Sequence, residues 1–111
     1  MDKPVYTFDP ETAYDAHENT IKAAPVYPAD FPTPFEHAWG YLAGKGEMER
    51  HTHTEKRECY FFFKGEGFAE LNGVRYAVEP GSVVLIEPNT LHTVINEKDE
   101  PLLWAAYWWQ K

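Results

Sequence analysis

The sequence predicts a single all-β domain, a sandwich or barrel, and three observations favour that fold class. From Phe35 onward, short runs rich in β-branched and aromatic residues alternate with turn residues, which is typical of eight short strands. The chain has 111 residues, the usual length of one domain. Its residues are 43% hydrophobic and 16% aromatic, which is enough for a rich core. We therefore expect one β-domain without a second folded unit.

An N-terminal arm over residues 1–34 is predicted to precede the barrel domain at 35–111. Asp9 as an N-cap, Pro10 at the first helical position and acids in the first turn predict a short helix over residues 9–19. The stretch that follows is predicted to wrap the domain irregularly, because four prolines remove backbone donors there, at positions 25, 28, 32 and 34.

The predicted strands carry the sequences FEHAWGYLA, RHTH, ECYFFFKG, GFAEL, VRYAV, SVVLIE, HTVIN and LLWAAYWW. Asn72-Gly73 predicts a two-residue type I′ hairpin, because both central positions of that turn need a positive φ. Glu79-Pro80-Gly81-Ser82 predicts a type II turn, in which Pro fixes one φ and Gly supplies the positive one. Both faces of the ECYFFFKG strand are predicted to be buried.

The charge balance argues against several classes of partner. The chain has 10 Lys and Arg against 18 Asp and Glu, a net charge of −8, which is the wrong sign for binding nucleic acid or anionic lipid. A bound divalent cation fits that balance better. Cys59 is the only cysteine, which excludes an intrachain disulfide and a cysteine-based zinc site. With no signal-like or membrane-spanning apolar run, these features predict a cytoplasmic protein.

The stretch HTHTEKRE predicts a metal site. On a strand, His51 and His53 point to the same side, so both imidazoles can reach one ion. Strict alternation places Glu55 on that side as well, whereas Glu58 reaches it only if a bulge or turn within TEKR shifts the register. The residues alone leave the carboxylate ligand open between these two acids, and a solvated surface strand is the alternative interpretation.

Two segments resemble the motifs of the cupin superfamily. HTHTEKRECYFFFKG resembles the first motif, with matches at His51, His53, Glu58 and Gly65. GSVVLIEPNTLHTVIN is similar to the second motif, with matches at Gly81, His92 and Asn96. The usual proline and glycine of the second motif are replaced by Glu87 and Asn89, and Asn tolerates the positive φ of such a turn.

The resemblance implies a small jelly-roll barrel, also called a double-stranded β-helix, that binds one divalent transition metal ion. The implied ligands are His51, His53, Glu58 and His92. Three imidazoles and one carboxylate suit Fe, Mn, Ni, Cu or Zn and leave two positions of an octahedron free. Glu58 is also the predicted catalytic residue, as a ligand or as a base if it is released.

The aromatic residues are the basis for predicting a substrate pocket and an oligomeric state. Tyr60 and Trp104, on strands expected near the metal, are predicted to line a substrate pocket. The hydrophobic segment WAAYWW, together with the resemblance, predicts a homodimer. His17 and His37 have no partner spacing and are predicted to be structural or exposed, and Cys59 is predicted to be a small buried side chain.

Three functions remain open on the sequence. The first is a metalloenzyme of the dioxygenase or isomerase type that acts on a small polar or sugar-like molecule. If the substrate carries a phosphate, Arg50 and Arg75 are the candidate phosphate-binding residues. The second is a non-catalytic module that binds or senses a small molecule through the same metal. The third is a structural role without metal, which requires the four ligand matches to be accidental.

Overall fold

The structure is a computed structural model, and it describes residues 4–111. Those residues form nine strands and no helix, which confirms the all-β class. The strands are β1 Tyr14–Ala16, β2 Ile21–Ala24, β3 Glu36–Leu42, β4 Lys56–Lys64, β5 Gly67–Leu71, β6 Val74–Val78, β7 Val83–Ile86, β8 His92–Ile95 and β9 Leu102–Gln110.

The strands form two antiparallel sheets that share one core. The larger sheet has the order β1-β2-β3-β9-β4-β7, and the smaller one has the order β6-β5-β8. Residues 46–51 run alongside β8 without forming a strand. Met48 N donates to Val94 O over 2.9 Å, and two isolated bridges join Glu47 to Ile95 and His51 to His92. This segment therefore continues the smaller sheet beyond β8.

The core lies between the sheets and is dominated by large side chains. Alternate residues of β4 and β9 point inward, so that Phe62 and Trp104 are almost completely buried, as is Val94 of the smaller sheet. Gly40 faces Trp104 across the β3–β9 pairing. A Cβ at Gly40 would lie 2.3 Å from the indole ring, so only glycine leaves room for the indole here.

Both turns predicted from the sequence are confirmed. Asn72 and Gly73 have φ values of 50° and 84°, as a type I′ hairpin between β5 and β6 requires. Gly81 has a φ of 98°, and Ser82 N donates to Glu79 O over 2.9 Å, as in a type II turn. Asn89 has a φ of 67°, so Asn does occupy the glycine-like position of the second motif.

The predicted helix over residues 9–19 is wrong. Asp9 does accept a hydrogen bond from Glu11 N at 2.9 Å and from Thr12 N at 3.2 Å, but the result is a single turn. The chain then enters β1, which pairs with β2, and β2 pairs with β3. A helix of this length is marginal on its own, and pairing with an existing sheet stabilises the extended chain instead. Residues 25–35 contain no strand, as the prolines predicted.

Two further expectations about strands are also wrong. Of the predicted RHTH strand, only His51 forms a bridge, and the chain bends at residues 54–55 before β4 begins. The outer face of β4 is not buried either, since Phe61 and Phe63 are 44% and 38% exposed. The larger sheet is covered fully only on its inner face, which is common for antiparallel sheets.

The division into an arm at 1–34 and a barrel at 35–111 stays a prediction, although β1 and β2 extend the larger sheet. The homodimer also stays a prediction. Most of WAAYWW packs within this chain, because only Trp109 is clearly exposed, at 42%. Exposed apolar side chains also occur on the outer face of the neighbouring strands β4 and β7, among them Phe61, Phe63, Val83 and Leu85. Within residues 4–111, no helix has the length and hydrophobicity to span a bilayer.

Asn96 joins three parts of the chain. Its side-chain amide donates to the carbonyls of Leu42, Ala43 and Glu100, and its Oδ1 accepts from Lys98 N at 3.0 Å. The side chain is 1% exposed. We expect Asn96→Ala to lower the free energy of unfolding by about 2–4 kcal/mol, because buried carbonyls lose their donors. Equilibrium urea unfolding measures this loss.

Asn96→Asp provides the matched variant for that measurement. It keeps an acceptor for Lys98 N but replaces the donating amide with a carboxylate that faces three carbonyl oxygens. We expect Asp to destabilise the protein at neutral pH at least as much as Ala does. Full stability of the Asp variant would show that the donated hydrogen bonds do not matter.

Candidate metal centre

The two sheets bring four predicted ligands to one point between them. His51 and His53 come from the irregular segment before β4, Glu58 lies on β4, and His92 begins β8. One ligand atom from each of these four side chains lies within 4.8 Å of the others. His51 and His92 are direct neighbours, since their backbone groups exchange hydrogen bonds of 3.1 and 3.0 Å and their ring centroids lie 4.1 Å apart.

The orientation of His51 and His92 favours metal binding. Nδ1 of His51 lies 2.9 Å from Glu49 O, and Nδ1 of His92 lies 2.8 Å from Thr90 O. A carbonyl can only accept, so each Nδ1 carries the proton, and Nε2 of the neutral ring has the lone pair that a metal ion needs. Both Nε2 atoms are buried without a hydrogen-bond partner within residues 4–111. Such a carbonyl partner is the usual support of a metal-binding imidazole.

Glu58, and not Glu55, joins the imidazoles. Its Oε1 lies 3.2 Å from His53 Nε2 and 3.5 Å from His92 Nε2. The bend at residues 54–55 supplies the shift of register that strict alternation lacked. Glu55 is exposed, and its carbonyl accepts from Lys111 N at 3.0 Å. The local path of the chain therefore brings Glu58 to the imidazoles, and its role as a metal ligand stays a prediction.

The protonation states of the side chains in the cluster suit a bound cation. Burial lowers the pKa of His51 and of His53 below the ordinary value of 6.5, so both rings are neutral at pH 7. Burial alone would raise the pKa of Glu58, but the contacts with His92, His53 and Lys56 outweigh it and lower that pKa. His51 and His53 thus offer neutral imidazoles beside an ionised carboxylate, the protonation states that metal ligands need.

A small cavity of about 140 Å³ opens on the side of His53 and Glu58. Tyr60 and Trp104 both lie in its wall and are nearly inaccessible to solvent, and their role in a substrate pocket stays a prediction. The Tyr60 hydroxyl hydrogen bonds to Glu58, and burial raises the pKa of Tyr60 well above its usual value. The hydroxyl therefore stays protonated and donates to the carboxylate, which fixes the orientation of Glu58.

His17 belongs to this site, which sequence reasoning missed. Its ring stacks on His51 with centroids 4.2 Å apart and an interplanar angle of 27°, and it lines the cavity. Burial, followed by the nearby His51, lowers the pKa of His17 to about 4. No spacing in the sequence links residue 17 to residue 51, so only the return of the β1–β2 hairpin onto the barrel reveals the contact.

Four other residues do not take part in the cluster. His37 is structural, as predicted, because its Nδ1 accepts from Val26 N at 3.0 Å. Arg50 and Arg75 both form ion pairs with Glu70, so neither offers a phosphate site in the cavity. Cys59 lies on the outer side of β4 and is partly exposed, so it is less buried than predicted.

The hydrogen bond from Tyr60 gives a testable prediction about metal affinity. We expect Tyr60→Phe to weaken metal binding roughly 10- to 100-fold, because groups that orient a ligand side chain have effects of that size. The ring remains, so folding should be retained. The dissociation constant is measured by competition with a chromophoric chelator.

Tyr107→Phe is the control for this variant. The Tyr107 hydroxyl hydrogen bonds to Tyr27 and, with burial as the first cause, the pKa of Tyr107 rises to about 12. It lies outside the cavity wall, so its removal should leave metal affinity unchanged. Equal affinity in the two phenylalanine variants and the unmodified protein would exclude Tyr60 from supporting the site.

Comparisons with known proteins agree on the family. The family model for the cupin domain matches residues 39–109. Among curated protein sequences, none matches this chain significantly. A cupin 2 conserved barrel domain protein from Salinispora arenicola CNS-205 is 25% identical, with a TM-score of 0.84, over 98% of this chain and 90% of that one. The plu4264 protein from Photorhabdus luminescens is 24% identical, with a TM-score of 0.84, over 98% of this chain and 89% of that one.

A more distant structure shares the fold. A predicted oxalate decarboxylase from Thermotoga maritima is 19% identical, with a TM-score of 0.73, over 82% of this chain and 81% of that one. At this level of identity the likeness concerns the fold alone. The family model covers more than half of the chain, and the two sheets and both motifs agree with it. The chain therefore belongs to the cupin domain family.

Proposed function

We propose that this protein binds one divalent transition metal ion through His51, His53, Glu58 and His92 and uses it to act on a small polar molecule. The observation that carries the proposal is the pair of buried Nε2 atoms of His51 and His92, which lack a hydrogen-bond partner among the described residues and point into the same cluster. A buried polar atom without a partner is costly, and a metal ion supplies the missing partner to both. A purely structural role leaves that cost unexplained.

The chemistry of the donor set limits the metal. Three imidazoles and one carboxylate suit Fe, Mn, Ni, Cu or Zn. When bound, such an ion supplies Lewis-acid or redox chemistry to a ligand in its open positions. The protein itself orients the ligand side chains. Backbone carbonyls orient two of the imidazoles, and the Tyr60 hydroxyl orients Glu58. Trp104 and the rest of the apolar wall restrict water in the cavity.

Glu58 has two roles in this proposal. As an ionised carboxylate it is a metal ligand, and it is also the group in the cavity wall that can accept a proton from a substrate. The hydroxyl of Tyr60 and the imidazole of His53 are the neighbours through which that proton can be shared. This arrangement favours a metalloenzyme of the dioxygenase or isomerase type.

The geometry disfavours sugar phosphates as substrates. Arg50 and Arg75 are held in surface ion pairs with Glu47, Glu70 and Glu97. Lys56 is the single Lys or Arg among the described residues that line the cavity. A phosphate ester prefers several cationic donors, so oxidation of a small, unphosphorylated molecule fits better than isomerisation of a sugar phosphate.

The second candidate is a non-catalytic module that binds a small molecule through the same ion, and the small volume of the cavity favours it. Protein purified without chelator is loaded with Fe²⁺, Mn²⁺, Ni²⁺ or Zn²⁺ and incubated with small diols, thiols, carboxylates and sugar phosphates. Turnover or oxygen consumption under air supports the enzyme. Saturable binding without turnover across all metals supports the module.

A further inference from the structure

The β1–β2 hairpin places His17 at the open side of the metal cluster. The ring of His17 lies on His51 and lines the same cavity as His53 and Glu58. Its Nδ1 lies 3.8 Å from Glu49 Oε1, which is beyond the length of a hydrogen bond. The imidazole is therefore next to the proposed ion but outside its ligand set, where a ligand bound in the cavity would meet it.

The hairpin holds His17 there in an unfavourable conformation. His17, Glu18 and Asn19 have consecutive positive φ values of 52°, 57° and 64°, a region that residues other than glycine rarely adopt three in succession. Thr20 donates from its backbone N and its hydroxyl to His17 O, and Glu49 N donates to the same hydroxyl. These bonds fix the turn to the segment that carries His51. Strained backbone of this kind is typical of functional sites.

The charges around the cavity favour an anion. Among the described residues that line it, Glu58 is the only acid and Lys56 the only Lys or Arg. The Lys56 amine lies 4.9 Å from the centroid of the Trp108 ring, which keeps it at the cavity wall. With a divalent ion on the ligand set, the cavity is net positive. His17 adds one N–H donor without adding charge.

The size and walls of the cavity limit the anion. Its volume of about 140 Å³ is well below the roughly 300–1,000 Å³ of ordinary small-molecule pockets, so it suits a ligand with only a few non-hydrogen atoms. Away from the cluster, the wall is apolar, with Ile21, Ala23 and Trp104. A short chain attached to a single anionic group fits both properties.

We propose that His17 is a ligand-positioning residue that donates a hydrogen bond to a short-chain monocarboxylate held at the metal centre. This inference rests on the proposed metal binding. A metal ion held by the four ligands would bind one carboxylate oxygen, the other oxygen would accept from His17, and the short apolar chain would lie against Ile21, Ala23 and Trp104. The arm hairpin thereby completes a pocket that the barrel alone leaves open.

The test measures binding of carboxylates to the Co²⁺-loaded protein by calorimetry and by the visible absorption of the cobalt. The probes are acetate, propanoate, butanoate, the neutral propanamide and inorganic phosphate. We expect propanoate to bind and to change the cobalt spectrum, and propanamide to bind much more weakly. His17→Phe keeps an aromatic ring on His51 but removes the donor, and we expect roughly 10- to 100-fold weaker propanoate binding.

Two variants complete the comparison. His17→Gln restores a donor without the ring and should recover part of the affinity. Glu18→Ala lies in the same turn, on an exposed side chain, and should bind propanoate like the unmodified protein. Metal content is determined for every variant, so that weak carboxylate binding is not confused with loss of the ion.

The outcomes separate this inference from the proposed function. Absence of metal from the unmodified protein overturns both. Two results overturn the role of His17 but not the metal site. The first is bound metal without any carboxylate binding. The second is a propanoate affinity of the His17→Phe variant equal to that of the unmodified protein. Tighter binding of phosphate than of every carboxylate overturns the ligand class.

Discussion

His92→Ala is expected to abolish stoichiometric metal binding, with affinity reduced more than about 100-fold. Altering a residue that merely orients a ligand already costs 10- to 100-fold, and His92 contributes a ligand atom directly. Its Nε2 is buried at the centre of the cluster, 3.5 Å from Glu58 Oε1, and has no hydrogen-bond partner in the part of the chain that the structure describes. Alanine leaves only His51, His53 and Glu58. Metal content after purification without chelator, measured by mass spectrometry, checks the prediction.

His37→Asn is the matched control for that experiment. His37 also has a carefully placed imidazole, but its Nδ1 accepts from Val26 N, and it does not line the metal cavity. Asn keeps an acceptor there, so the variant should fold and retain metal. Circular dichroism shows whether both variants are folded. Equal metal content in folded His92→Ala and the unmodified protein would rule out the site.

Trp104→Ala is expected to lower the free energy of unfolding by about 3–5 kcal/mol, the usual range for a buried Trp. Trp104 is 1% exposed and packs against Tyr60 and Phe62, with ring centroids 5.6 and 5.5 Å away. On its other side it lies against Gly40, where no side chain can move in to fill the space. The loss should appear as a lower urea midpoint with an unchanged slope.

Trp109→Ala tests whether the loss of stability depends on the position of Trp104 on the inner face of the sheet. Trp109 lies on the same strand, but it points outward and is 42% exposed. We expect Trp109→Ala to lower the free energy of unfolding clearly less than Trp104→Ala does, because Trp109 buries less apolar surface. Folded Trp104→Ala should still bind metal, since the indole is part of the cavity wall and not of the ligand set. Equal losses in the two variants would contradict the packing described for Trp104.

Local features were predictable where a few adjacent residues decide the conformation. Asn72-Gly73 forms its hairpin because its backbone preferences match one turn type, whatever surrounds it. The strands from Glu36 onward follow from runs of β-branched and aromatic residues. The capping pattern at Asp9 was equally local, but it led to a wrong helix, because the pairing of β1 with β2 competes with it from elsewhere in the chain.

The sequence by itself determined the class of the fold, its tight turns and the residue types that suit a transition metal, because these depend on neighbours along the chain. The tertiary structure decided that Glu58 replaces Glu55 and that His51 lies directly opposite His92. It also brought His17 onto His51. These contacts join residues up to 41 positions apart. They depend on the packing of two sheets, which no local pattern encodes.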